Sequence, residues 1–172
     1  PIARFDQTLS SLTPGLRLLR ARSFLALGRV DAATEDLEAG IRWLEGQRAG
    51  MKNAALQASV FDEGAAVFDE MVALQLDRRH DPERALYFIE RSRGRQLAEA
   101  LMAGAGRSKS AMLSARLAPL SPQALRRELP SGVALVYYAT ESDRLVAWVL
   151  TRQGSQMRER ALSSRLLESQ VV

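Results

Sequence analysis

His80 is the single histidine among 172 residues, and cysteine is absent. It stands between Asp77 and Asp81, the company that a general base or a metal ligand keeps. One imidazole cannot build a histidine cluster, and a Ser-His-Asp arrangement would have to use this residue as its base. An Asp81-Pro82 pair follows at once, so His80 is expected in a polar turn between two helices. Paired carboxylates occur at Asp62-Glu63 and again, seven residues on, at Asp69-Glu70. Such pairs do acid/base chemistry when buried together; on a helix with apolar residues opposite they read as a solvated face. Gly104-Ala105-Gly106 with Arg107 and Lys109 has the composition of a phosphate-cradling loop, but no strand precedes it and no Gly-Lys-Ser/Thr follows. Arg84, Arg91 and Arg95 step by seven and four onto one helical stripe. They are the candidate site for an acidic peptide or an adjoining domain, through bidentate guanidinium contacts. The competing expectation pairs them with Glu83, Glu90 and Glu99 on the same helix. No catalytic residue, metal ligand or cofactor site is assigned, and no cofactor is expected.

The charge balance supports that restraint. Lys+Arg is 24 against 20 acidic residues, net +4, and only Lys52 and Lys109 are lysines. The excess is arginine interspersed with carboxylates, without a one-sided basic patch or a nucleic-acid motif, so nucleic-acid binding is not favoured. No apolar run is long enough to span a membrane, and Pro1 to Asp6 lacks the basic and apolar parts of a signal peptide. With no cysteine, a cytoplasmic location is expected. The missing initiator methionine suggests a piece of something longer.

The elements follow from punctuation. Thr13-Pro14 opens a helix to about Leu27, closed by Gly28. Asp31 is expected to cap a second helix, Ala32 to about Gln47, ending near Ala49-Gly50. A third, from about Lys52 to Arg78, is long and carries Leu56, Val60, Val67, Phe68, Met71 and Leu74. Asp81-Pro82 opens a fourth, to about Met102. Four antiparallel amphipathic helices are thus expected, then a small, polar, basic linker. Ser121-Pro122 opens a short helix, Gln123 to Glu128, broken by Leu129-Pro130-Ser131-Gly132. Val133–Thr140 and Arg144–Thr151 then read as a strand pair around Glu141-Ser142-Asp143, with Gln156 to Ala161 as a third strand. Ser163-Ser164 reads as the cap of another helix. Trp148, Tyr137 and Tyr138 are assigned to sheet packing. Two or three strands with apolar faces cannot bury themselves. Leu135, Tyr137, Val146 and Trp148 therefore require cover from the helical half or from strands outside this chain.

Ala21, Phe24 and Gly28, on or just after the first helix, meet Ala33, Leu37 and Gly40 on the second in a spacing that resembles the tetratricopeptide repeat. Small Ala21 and Ala33 would let the backbones approach while Phe24 and Leu37 fill the space beside them. Ala85 after Asp81-Pro82 repeats the idea 52 residues beyond Ala33, not 34, so the second unit is degenerate. These repeats end in Glu90-Arg91-Ser92-Arg93-Gly94-Arg95-Gln96-Leu97. The capped short helix and the strands Ala134–Tyr138 and Leu145–Gly154 come after them, and this order of parts resembles the junction of a TPR–CHAT protein. The resemblance implies an α+β chain: antiparallel TPR-like hairpins, then the first strands of an α/β caspase-like (CHAT) domain. It divides the chain into a helical repeat region (1–103), a linker (104–120) and a truncated CHAT beginning (121–172). It further implies a bacterial protein whose repeats receive a protein or peptide partner and whose CHAT part is a cysteine protease. The catalytic His and Cys of that family lie further along, and His80 does not match. The function so implied is the interaction and regulatory region of such a protease. The alternative is a non-catalytic helical scaffold that oligomerises through a strand edge.

Overall fold

Residues 13–47, 54–104, 121–141 and 144–162 are described by the computed structural model, with side chains for 13–46, 64–93, 121–140 and 144–162. They form a mixed α+β chain of five α-helices and a three-stranded antiparallel sheet. Two compact units divide it, Pro1–Arg79 and His80–Val172. Punctuation groups the fourth helix with the helices before it; by packing it is grouped with the sheet.

In the first unit, helix α1 (Pro14–Ala26) starts on its proline alone, because the Thr13 side chain makes no capping bond. Its end is a Schellman motif. Gly28 takes φ +71, its N–H reaches the Leu25 carbonyl at 3.0 Å and the Arg29 N–H reaches that of Phe24 at 2.8 Å. Helix α2 (Val30–Gln47) begins earlier than expected, so Asp31 lies in its first turn instead of capping it. There its carboxylate suits the helix dipole and is engaged by Arg79. Helix α3 (Ala54–Leu74) does not run on to Arg78 as an α-helix; Gln75–Arg79 form a π turn. The widened turn sits where three successive residues, Leu74, Gln75 and Leu76, are all buried, and Gln75 Nε2 donates to Met71 Sδ at 3.3 Å. Helix α2 packs against both α1 and α3. Ala21, Ala33, Leu37, Ile41, Val67, Phe68 and Met71 are fully buried. A Cβ on Gly40 would meet Val67 at 3.4 Å and Arg17 at 3.8 Å, so all three helices approach closely at this glycine.

In the second unit, His80 occupies the left-handed region at φ +53, which histidine tolerates better than most side chains. Asp81 Oδ1 then accepts from the Arg84 N–H at 2.9 Å, and Pro82 opens α4 (Pro82–Gly104). This is the cap-plus-proline start expected from the sequence. Ser121 repeats it for α5 (Pro122–Glu128), accepting from the Ala124 N–H at 3.1 Å. Strands β1 (Ala134–Glu141), β2 (Arg144–Thr151) and β3 (Ser155–Ala161) pair in the order β1-β2-β3. Tyr137 lies opposite Trp148, and Trp148 opposite Met157. Because side chains alternate between faces, Leu135, Tyr137, Val146, Trp148 and Leu150 share one face. Val146, Trp148 and Leu150 there are buried. The linker residues 105–120 and the Ser163-Ser164 cap lie outside the described residues.

Candidate functional site

The first turn of α4 gathers the rest of the second unit around it. Glu83 Oε2 accepts from Gln123 Nε2 at 2.6 Å; Oε1 accepts from Arg126 at 3.2 Å and from Ser155 Oγ at 2.5 Å. One carboxylate thus ties α4 to α5 and to β3. An acidic group in a first turn is favoured by the helix dipole, and three donors satisfy it where it is one-third exposed at most. The Trp148 indole N–H donates to the Pro82 carbonyl at 2.8 Å. That bond gives the buried indole the partner its N–H needs and adds β2 to the same helix turn. Arg126 Nε is buried without a partner among the described residues.

Two helical turns on, the same face of α4 makes a second attachment. Tyr137 donates its phenol to Glu90. The Arg93 guanidinium lies 5.9 Å from the Tyr137 ring centre and donates to the Tyr138 carbonyl. Burial pushes the Glu90 carboxyl above its usual range, opposed by the Tyr137 hydrogen bond and the Arg93 charge. Tyr137 is raised as well, first by burial and then by the charge and hydrogen bond of Glu90. Glu83 and Glu90 are seven apart, so they lie on one helix face. Of the carboxylates expected to pair with the arginine stripe, these two bind the sheet and α5.

Two arginines of the stripe also lie against aromatic rings. Arg84 and Arg91 lie 5.6 Å and 5.5 Å from the ring centre of Phe88, between them in sequence, and Arg91 is 5.3 Å from that of Tyr87. Phe88 is fully buried, and both guanidinium groups lie within cation–π range of its ring. The Arg95 side chain lies outside the described residues. Among the small residues singled out, Ala21, Ala33 and Ala85 are fully buried. Phe24 is half-buried, with Arg29 4.7 Å and Arg20 5.8 Å from its ring centre.

Sequence reasoning missed a buried charge cluster in the first unit. Asp36, on α2, is 3 % exposed and pairs with Arg17, itself 8 % exposed, at 3.7 Å. It also accepts two bonds from the Arg20 guanidinium. Burial lowers the Arg17 pKa, and the Asp36 charge opposes that shift; for Arg20 the Asp36 hydrogen bond dominates and raises it. A signal was available: Asp36 stands beside Leu37 on the inward stripe Ala33, Leu37, Gly40, Ile41 and Leu44. Of the carboxylate pairs, the Asp62 and Glu63 side chains lie outside the described residues. Glu70 pairs with Arg22 at 2.6 Å, and the Asp69 carboxyl, though solvent-accessible, is raised by partial burial.

Among the described residues no group of three His, Cys, Asp or Glu side chains could hold a metal ion, and no helix is long and apolar enough to cross a membrane. What the geometry does is mechanical: α4 is bonded at two places to the elements that carry the sheet. No family model, curated protein or solved structure matches the chain.

Proposed function

We propose that this chain is the protein-interaction and regulatory region of a TPR–CHAT protease, with the catalytic histidine and cysteine in a part of the protein outside it. The observation that carries this reading is α4. In sequence it closes a helical array; in packing it belongs to the α+β unit, held there by Glu83, Pro82, Glu90 and Arg93. Chain continuity through the π turn Gln75–Arg79 and His80 leads from the helices straight into that helix. A partner that orders or displaces the helices then acts on α4, and α4 acts on the strands from which a caspase-like sheet would be extended. The TPR-like role of Ala21, Ala33 and Gly40 is to let the first helices pack closely enough to present a fixed surface to such a partner.

The test is the gene's reading frame on both sides of this chain. The reading predicts further strands after Val172 bearing a histidine and then a cysteine. The longer product is expected to cleave an unfolded protein substrate and to lose that activity when the cysteine is replaced by serine. A reading frame without that pair, or a product whose activity survives the replacement, overturns the protease reading and leaves the non-catalytic scaffold.

A further inference from the structure

The register that buries Trp148 leaves the opposite face of the sheet open. Three rows cross it: Val136, Val149 and Gln156; Tyr138, Ala147 and Arg158; Thr140, Leu145 and Arg160. Val136, Tyr138 and Val149 are 44 %, 57 % and 39 % exposed, which is high for large apolar side chains in neighbouring strand positions. The β3 side of the same face is basic. Arg158 and Arg160 are exposed; Arg158 donates to the Met157 carbonyl, and neither arginine makes an ion pair among the described residues. No carboxylate shares this face among the described residues of the three strands, since Glu159 points to the other side with Val146.

We propose that this face docks an amphipathic helix of a protein partner, apolar along one stripe and acidic along one flank. The dimensions fit. Arg158 and Arg160, two apart on a strand, are about 7 Å apart, and carboxylates at i and i+4 of a helix are about 6 Å apart. The apolar lane on β1 and β2 lies up to two strand spacings, about 9.5 Å, from the arginine lane, close to the diameter of one helix. Such a helix sets its leucine stripe on Val136, Tyr138 and Val149 and its acids over the two arginines, a helix-in-groove mode of recognition. A second copy of this chain is the poorer occupant, because it brings two more arginines and no carboxylate to the contact. The inference stands apart from the protease reading.

The probe is a labelled synthetic helix with a leucine stripe and glutamates at i and i+4 on one flank, titrated with the 172-residue chain; a matched peptide carries lysine for glutamate. Fluorescence anisotropy is expected to show saturable, salt-weakened binding, at least about tenfold tighter for the acidic peptide. Arg158→Glu with Arg160→Glu should invert that preference, and Tyr138→Ser should weaken both peptides. In a Trp43→Phe background, which leaves one tryptophan, the emission of buried Trp148, on the other face, verifies that each variant is folded. No saturable binding, equal affinity for the two peptides, or indifference to both variants overturns the proposal. Binding that appears only after residues 163–172 are removed, or a chain that dimerises through this face, also overturns it, by naming another occupant.

Discussion

Asp36 shows what a single side chain can hold. Its carboxylate is buried beside Arg17 and doubly bonded to Arg20, so α1 and α2 are fixed in register by one charge cluster. Removing one member of a buried pair strands the other without water or counter-ion. Asp36→Ala is expected to destabilise the first unit by about 3–5 kcal/mol, measured by urea denaturation followed by circular dichroism. Glu90 has the opposite electrostatics. Its carboxyl is raised in the folded state by burial, so the folded protein holds that proton more tightly than the unfolded chain. The stability tied to it is complete below the ordinary glutamate range and is lost as pH rises through the raised value. Denaturation of wild type and Glu90→Gln across mildly acidic to neutral pH should show wild type losing ground to the variant over that window, then holding a constant difference above it. Neither role was legible in the sequence. Asp36 has the composition of a surface residue and differs only in standing on an inward stripe; Glu90 lies beside Arg91 in sequence but bonds a tyrosine 47 positions away.

The elements were more readable, because proline, glycine and capping side chains act locally. Asp81-Pro82, Ser121-Pro122 and Gly28 did what their chemistry dictates, and the β-branched and aromatic runs became strands in the expected order. The exceptions have tertiary causes. Asp31 gave up its cap position in a helix that begins earlier, with Arg79 on its carboxylate. The long third helix widened into a π turn beside buried Gln75. The close packing of α1, α2 and α3 rests on small residues, and Ala33 is fully enclosed. Ala33→Leu is expected to cost about 1–3 kcal/mol by overpacking, read as a lowered urea midpoint, whereas a near-neutral result would mean that the helices are not in close contact there.

For the molecule as a whole, composition marks a boundary near Gly104, where small and polar residues begin, yet the chain divides into its compact units between Arg79 and His80. The bonds responsible join residues 40 to 72 positions apart: Glu83 with Gln123 and Ser155, and Pro82 with Trp148. A local reading of pattern and punctuation does not register such pairings, which is why α4 reads as the last helix of an array but packs as the first element of the sheet's unit. The proposed regulatory role depends on that placement. Hydrogen exchange of the whole chain carrying Glu83→Ala and Arg93→Ala, read by mass spectrometry segment by segment, tests it most directly. Lost protection is expected in β1 and β3, whose bonds to α4 are removed, with α1, α2 and α3 unchanged. Strands that exchange as slowly as in wild type, or an equal loss in both units, would contradict it.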